Sequence, residues 1–231
     1  MRHIAKYTLI MSLMASSLAM AQSTTNSIYI DQVGDSSTIN ITQRGQSNTV
    51  GTENDRFQLQ GNNQTVDVTQ SGGSNSIQGS IVDADNINID LTNTGDNNTV
   101  NFDLGSAGSV AGSSTTLAVT GSSNTVNLTQ GNVASSTGAA QNITILGDQN
   151  NYTSVVNADD TVNTTAITGS GNNVNVLQNG NPNKNINMTL TGNTNNFTVN
   201  QTSTLNVDAI SITSQSNGST VVINQCNAGA C

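Results

Sequence analysis

The sequence predicts an all-β chain, a β-solenoid of about eight strand–turn–strand repeats stacked as two facing parallel sheets. Three observations carry that expectation. A short Gly-x-x-Asn turn recurs along most of the 231 residues. Apolar residues alternate with polar ones on either side of it, which is the period of a strand. And the composition, with 33% hydrophobic, 8% charged and 3% aromatic residues and 37 Asn, leaves too little apolar material for a conventional large core.

The first segment is a leader. Arg2, His3 and Lys6 give it a positive start, Tyr7 to Met20 are mostly apolar or small, and Ala19-Met20-Ala21 is a small-x-small cleavage site. Residues 1–21 therefore read as a signal peptide of bacterial-type export. The stretch is too short and too interrupted by Ser for a membrane anchor, and the mature chain offers no other transmembrane segment. Cleavage leaves Arg44, Arg56 and Lys184 against 14 acids, a net charge of −11 and no His. Nucleic-acid binding is excluded on charge, because phosphate contacts need Lys and Arg. The acids are scattered and the nucleophiles, bases and metal ligands of most enzymes are missing. The chain is thus expected to be no enzyme, with no catalytic, cofactor-binding or metal-binding residues. Gly72-Gly73 and Gly169-Ser-Gly171 lack the helix and basic residue of a phosphate loop, and Asp159-Asp160 reads as a solvated loop.

The repeat domain spans residues 22–225. Its turns are anchored at Gly34, Gly61, Gly95, Gly121, Gly147, Gly169, Gly192 and Ser214, at steps of 27, 34, 26, 26, 22, 23 and 22 residues. Five of these lead to Asn98, Asn124, Asn150, Asn172 and Asn195; Gly45 to Asn48 and Gly72 to Asn75 are additional half-copies. Gly and Asn suit such turns because both tolerate positive φ. Apolar residues fall four and two before each anchor and five and seven after it: Phe57, Leu59, Val66 and Val68 around Gly61; Leu117, Val119, Val126 and Leu128 around Gly121; Met188, Leu190, Phe197 and Val199 around Gly192. Parity changes across the turn, so the chain must rotate there to keep both strands aimed inward. Nine after the anchor stands Gln in five units, Gln43, Gln70, Gln130, Gln178 and Gln201. A constant offset predicts a stacking ladder of amides, each satisfied by the one above and below.

Two short strands are not stable alone, and stacking at about 4.8 Å solves this. Neither end of the stack offers an obvious helix or Pro-rich cap, so both end coils are expected to present pairable strands. The tail, residues 226–231, holds Cys226 and Cys231. Export permits a disulfide between them, and transient pairing with another chain is the other option.

Gln43-Arg-Gly45-Gln-Ser-Asn48 reads as Gln-x-Gly-x-x-Asn, and Gln32-Val-Gly34-Asp-Ser-Ser37-Thr-Ile39 followed by Gln43 has the same frame. With repeats of about 22 residues, most of 27–225 resembles the curlin repeat of curli fibre subunits. Many later units replace the Gln before Gly with an aliphatic residue, such as Val119, Ile145 or Leu190. The resemblance implies a curlin-like repeat domain that homopolymerises into extracellular amyloid fibres of the biofilm matrix, for adhesion. It also implies passage through an outer-membrane secretion channel and nucleation by a partner. Two other readings stay open: a monomeric solenoid adhesin or fibre module at the cell surface, and an ice-binding solenoid. The last is disfavoured because Thr125, Thr129 and Thr198 form no constant Thr-x-Thr column.

Overall fold

The structure, a computed structural model, describes residues 26–226 apart from 34–35, 62, 81–85, 104–113, 131–137, 139, 181 and 205–207. The leader 1–21, the turn glycine Gly34 and Cys231 lie outside the described residues. Every described strand pairs parallel to its equivalent one coil away, and the chain is a β-solenoid. Parallel strands joined by a return across a second sheet are the consequence of a repeat too small to bury its own face.

Two sheets face each other. The first is ten-stranded and runs from Ser27–Ile28 to Thr220–Gln225; the second is eight-stranded and runs from Thr38–Ile39 to Asp208–Gln215. A small pair, Ile30–Gln32 with Phe57–Leu59, extends the first coils. It is displaced because 51–56 form an extra loop, closed by the Thr52 N–H on the Asp55 carbonyl at 2.7 Å and the Asp55 N–H on Thr52 Oγ1 at 2.9 Å.

Strands lengthen along the chain, from two residues in Thr49–Val50 to seven in Asn151–Asn157 and eight in Lys184–Thr191. Early strands are broken by residues with positive φ: Leu128, at 44°, separates Thr125–Val126 from Thr129–Gln130. Alternation is clean where the strands are long, as in Lys184–Thr191, whose residues are by turns buried and exposed.

The core lies between the sheets as columns of apolar side chains. All twelve inward residues named around Gly61, Gly121 and Gly192 are buried within it. Rings of Phe57 and Phe102 stack with centroids 5.6 Å apart. Gly79 gives them room, since a Cβ there would strike the Phe57 ring.

Candidate functional site

The corner that joins a second-sheet strand to the next first-sheet strand carries one continuous column of asparagines. The Oδ1 of each accepts the backbone N–H of the asparagine one coil on. Asn26 accepts from Asn48 at 2.9 Å, Asn48 from Asn75 at 3.0 Å, Asn75 from Asn98 at 2.9 Å and Asn98 from Asn124 at 2.9 Å. Asn124 accepts from Asn150 at 2.9 Å, Asn150 from Asn172 at 3.0 Å and Asn172 from Asn195 at 3.0 Å. Asn195 accepts from Ser219 at 2.9 Å. The Nδ2 groups of six stations donate to the carbonyl of the corner residue above, for example Asn48 to Gly72 at 2.7 Å and Asn172 to Gly192 at 2.9 Å. Asn48 to Asn195 are buried, and a buried amide needs partners on both ends, a need met along the column except at the Nδ2 of Asn75. The column thereby fixes register, because a slip of one residue would orphan a row of buried donors and acceptors.

The corner glycines do more than the sequence suggests. Gly45, Gly169 and Gly192 do adopt positive φ, at 65°, 113° and 123°, but each corner also has a positive φ two residues later, at Ser47, Ser74, Asn97, Ser123, Gln149, Gly171, Thr194 and Gly218, between 56° and 70°. Gly72, Gly95, Gly121 and Gly147 do not need positive φ at all. At these positions, and at Gly45, Gly169 and Gly192, an added Cβ would fall well inside contact with the carbonyl oxygen of the corner above. Glycine is required because coil sits on coil there.

Two of the described sequence anchors belong elsewhere. Thr38 pairs with Thr65, so Gly61 precedes a second-sheet strand and sits at the opposite corner. There Gln64, not Asn, is the buried amide, donating to the Gln60 carbonyl. The true early stations are the half-copies Gly45 and Gly72. Ser214 is also displaced: Asn196 pairs with Thr220, which makes Ser216 and Ser219 the last Gly and Asn equivalents. The spacing of the column is 22, 27, 23, 26, 26, 22, 23 and 24 residues.

This shift divides the five glutamines between two columns. Gln70 Nε2 donates to Gln43 Oε1 at 3.0 Å beside the second sheet, and Asn93 is the next station there. Gln130, Gln178 and Gln201 share a first-sheet column in which Val156 interrupts Gln130 from Gln178. That column continues to Gln225: Gln178 donates to Gln201 at 3.2 Å and Gln201 to Gln225 at 2.8 Å. Gln130 instead accepts from Gln141 across the core at 3.0 Å.

Gln141 opens a polar cluster that residue spacing did not reveal. Asn163 Nδ2 donates to Tyr152 Oη at 2.7 Å and Ser154 Oγ at 3.1 Å, and Ser154 Oγ donates to Gln141 Oε1 at 2.9 Å. Thr165 Oγ1 donates to Asn163 Oδ1 at 3.0 Å. Burial pushes the Tyr152 hydroxyl above its ordinary range, against the smaller opposite pull of its bonds to Thr165, Ser154 and Asn163. An acid whose folded pKa is raised contributes stability that is complete below its unfolded pKa and declines above it. Unfolding midpoints measured in urea should therefore fall as pH rises past about 10, the unperturbed tyrosine value. Tyr152→Phe should flatten that fall, and an unchanged slope would remove Tyr152 as its source.

The second unforeseen feature is an ion pair. Lys184 Nζ lies 3.2 Å from Asp208 Oδ2, with both side chains buried. Cys226 is disulfide-bonded. Among the described residues no three His, Cys, Asp or Glu side chains gather as metal ligands, and no helix is long and apolar enough to cross a membrane. No family model, curated protein or solved structure matches this chain.

Proposed function

We propose that this chain is a secreted structural protein that self-assembles into extracellular amyloid-like fibres of the curli type, serving adhesion and the biofilm matrix. The observation that supports the reading is the contact between coils. It repeats from Asn26 to Asn195 with one chemistry: parallel strands, an asparagine column and glycine corners. An interface that a chain makes with itself at every coil offers a second copy the same parallel backbone pairing. Among the described residues nothing covers the outer edge of Ser27–Ile28 or Thr38–Ile39, and Ile28 is 41% exposed. Export through an outer-membrane channel and nucleation by a partner belong to the same reading through the curlin resemblance, and a catalytic role does not.

The test is to incubate purified protein and image it by electron microscopy over hours, with and without sonicated seeds. Seed-accelerated fibres with a cross-β reflection near 4.8 Å are expected. Short rods that sediment as monomers, with protected backbone amides, would replace this reading with the monomeric surface adhesin.

A further inference from the structure

The last coil differs from the other fully described coils at the asparagine corner, and it differs in three columns at once. Leu190 is followed by Ser214 in the inward apolar column. Gly192 is followed by Ser216 and Asn195 by Ser219. Each replacement removes something a further coil would need. The glycine Cβ vectors point toward the C-terminal side, where the next carbonyl sits, so Ser216 carries a Cβ where Gly45, Gly72, Gly95, Gly121, Gly147, Gly169 and Gly192 have none. Ser219 has no amide oxygen to reach the N–H of a following coil. Ser214 puts a hydroxyl where the column one coil back has Leu190.

The three serines are also turned back on their own coil. Ser219 Oγ donates to Ser216 Oγ at 2.8 Å, and the Ser214 and Ser216 hydroxyls lie 3.0 Å apart. Ser216 Oγ donates to Asn195 Oδ1 at 3.3 Å, which shares that oxygen with the Ser219 N–H at 2.9 Å. The open end of the column is thus closed by short hydroxyls. At the opposite end Asn26 keeps its amide, with Nδ2 on the Gly45 carbonyl at 3.1 Å and Oδ1 on the Asn48 N–H.

We infer that the face of the last coil is the weak half of the contact between copies, and that Ser214, Ser216 and Ser219 act as a brake on end-to-end addition of a second copy. This rests on the self-assembly reading. The N-terminal coil brings an Asn26 N–H that the serine corner cannot accept as an asparagine would. Ser216 adds a Cβ on the side where each glycine station from Gly45 to Gly192 meets the next coil's backbone. Among the described residues the outer edges of Asp208–Gln215 and Thr220–Gln225 are unpaired, so addition is slowed at one corner and not abolished.

The experiment compares seeded elongation of the wild-type protein, Ser216→Gly/Ser219→Asn and Ser216→Val, each on its own seeds at equal seed number. Restoring the glycine and the asparagine supplies one backbone-to-amide bond and removes one obstruction, and elongation should quicken about tenfold. Ser216→Val, which enlarges the obstruction, should slow it. Unfolding midpoints of the soluble proteins are measured alongside, so that a change in rate is read only from variants that fold. Fibres from the wild type with an equal rate in the double variant would overturn the brake and leave the assembly reading standing. Fibres from the double variant alone would support the brake and overturn the reading that the wild type assembles by itself. Fibres from neither protein would overturn both.

Discussion

Gly147→Ala should destabilise the folded chain by about 3 kcal/mol, the upper end for inserting one methyl group into a packed site. Its Cβ would overlap the carbonyl of Gly169, which is backbone held by the coil above and cannot swing aside. Gly147 does not have the left-handed φ, so the cost isolates the approach of the two coils from any effect of backbone strain. Gly73→Ala is the matched control in the same kind of corner. Its Cβ would meet the Gln46 carbonyl at 3.5 Å and Asp96 Oδ1 at 3.6 Å, which is ordinary contact. That variant should be neutral or gain a few tenths of a kcal/mol by restricting the unfolded chain. Urea midpoints of the two variants decide the matter, and equal midpoints would mean that the glycines are not set by stacking.

Lys184→Met should cost about 3–5 kcal/mol, because it leaves the Asp208 carboxylate buried without its partner. The double variant Lys184→Met/Asp208→Val should recover most of that loss, since a buried pair is often replaced by apolar side chains without net cost. Lys184 and Asp208 pair in register in the strands Lys184–Thr191 and Asp208–Gln215. The pair therefore holds two neighbouring coils in step, and the double variant should keep the fold while losing that pin. A double variant as unstable as the single one would show that the ammonium acts through other contacts.

The inward register was legible in the sequence because alternate residues in a strand share a face. Leu117, Val119, Val126 and Leu128 are buried as that rule requires. The same rule held the signal for the ion pair: Lys184 and Asp208 stand two residues before the inward Ile186 and Ile210, at buried parity. A charged residue at an inward position calls for a partner, and the partner is one coil away.

Corners were harder to read. A coil has two, both bring Gly and amides together, and spacing alone does not say which is which. Gly61 and Gly45 fit the same Gly-x-x pattern, yet only the pairing of Thr49 with Ser76 and of Thr38 with Thr65 separates them. The insertion at 51–56 added to the difficulty by stretching one coil to the same 27-residue step that a correct reading gives from Asn48 to Asn75. At the far end, Ser214-Gln215-Ser216-Asn217 offered an Asn in the expected place, and the frame two residues later, with serine at both key stations, matched no pattern. Nor does residue type reveal why glycine is there. Tolerance of positive φ and absence of a Cβ look identical in a sequence, and only the neighbouring coil distinguishes them.

The central claim is that the asparagine column joins coil to coil through buried amide bonds. Hydrogen exchange of single backbone amides in the soluble protein tests it most directly. The N–H groups of Asn75, Asn98, Asn124, Asn150, Asn172 and Asn195 lie in corners outside the strands, yet each donates to an asparagine side chain one coil back. They should exchange as slowly as the strand amides of Val174 and Val176, and Asn124→Ala should speed exchange at Asn150 while the amide of Asn195 stays protected. Corner amides that exchange at the rate of an open loop, with the strands protected, would contradict the column and leave the stack held by its sheets alone.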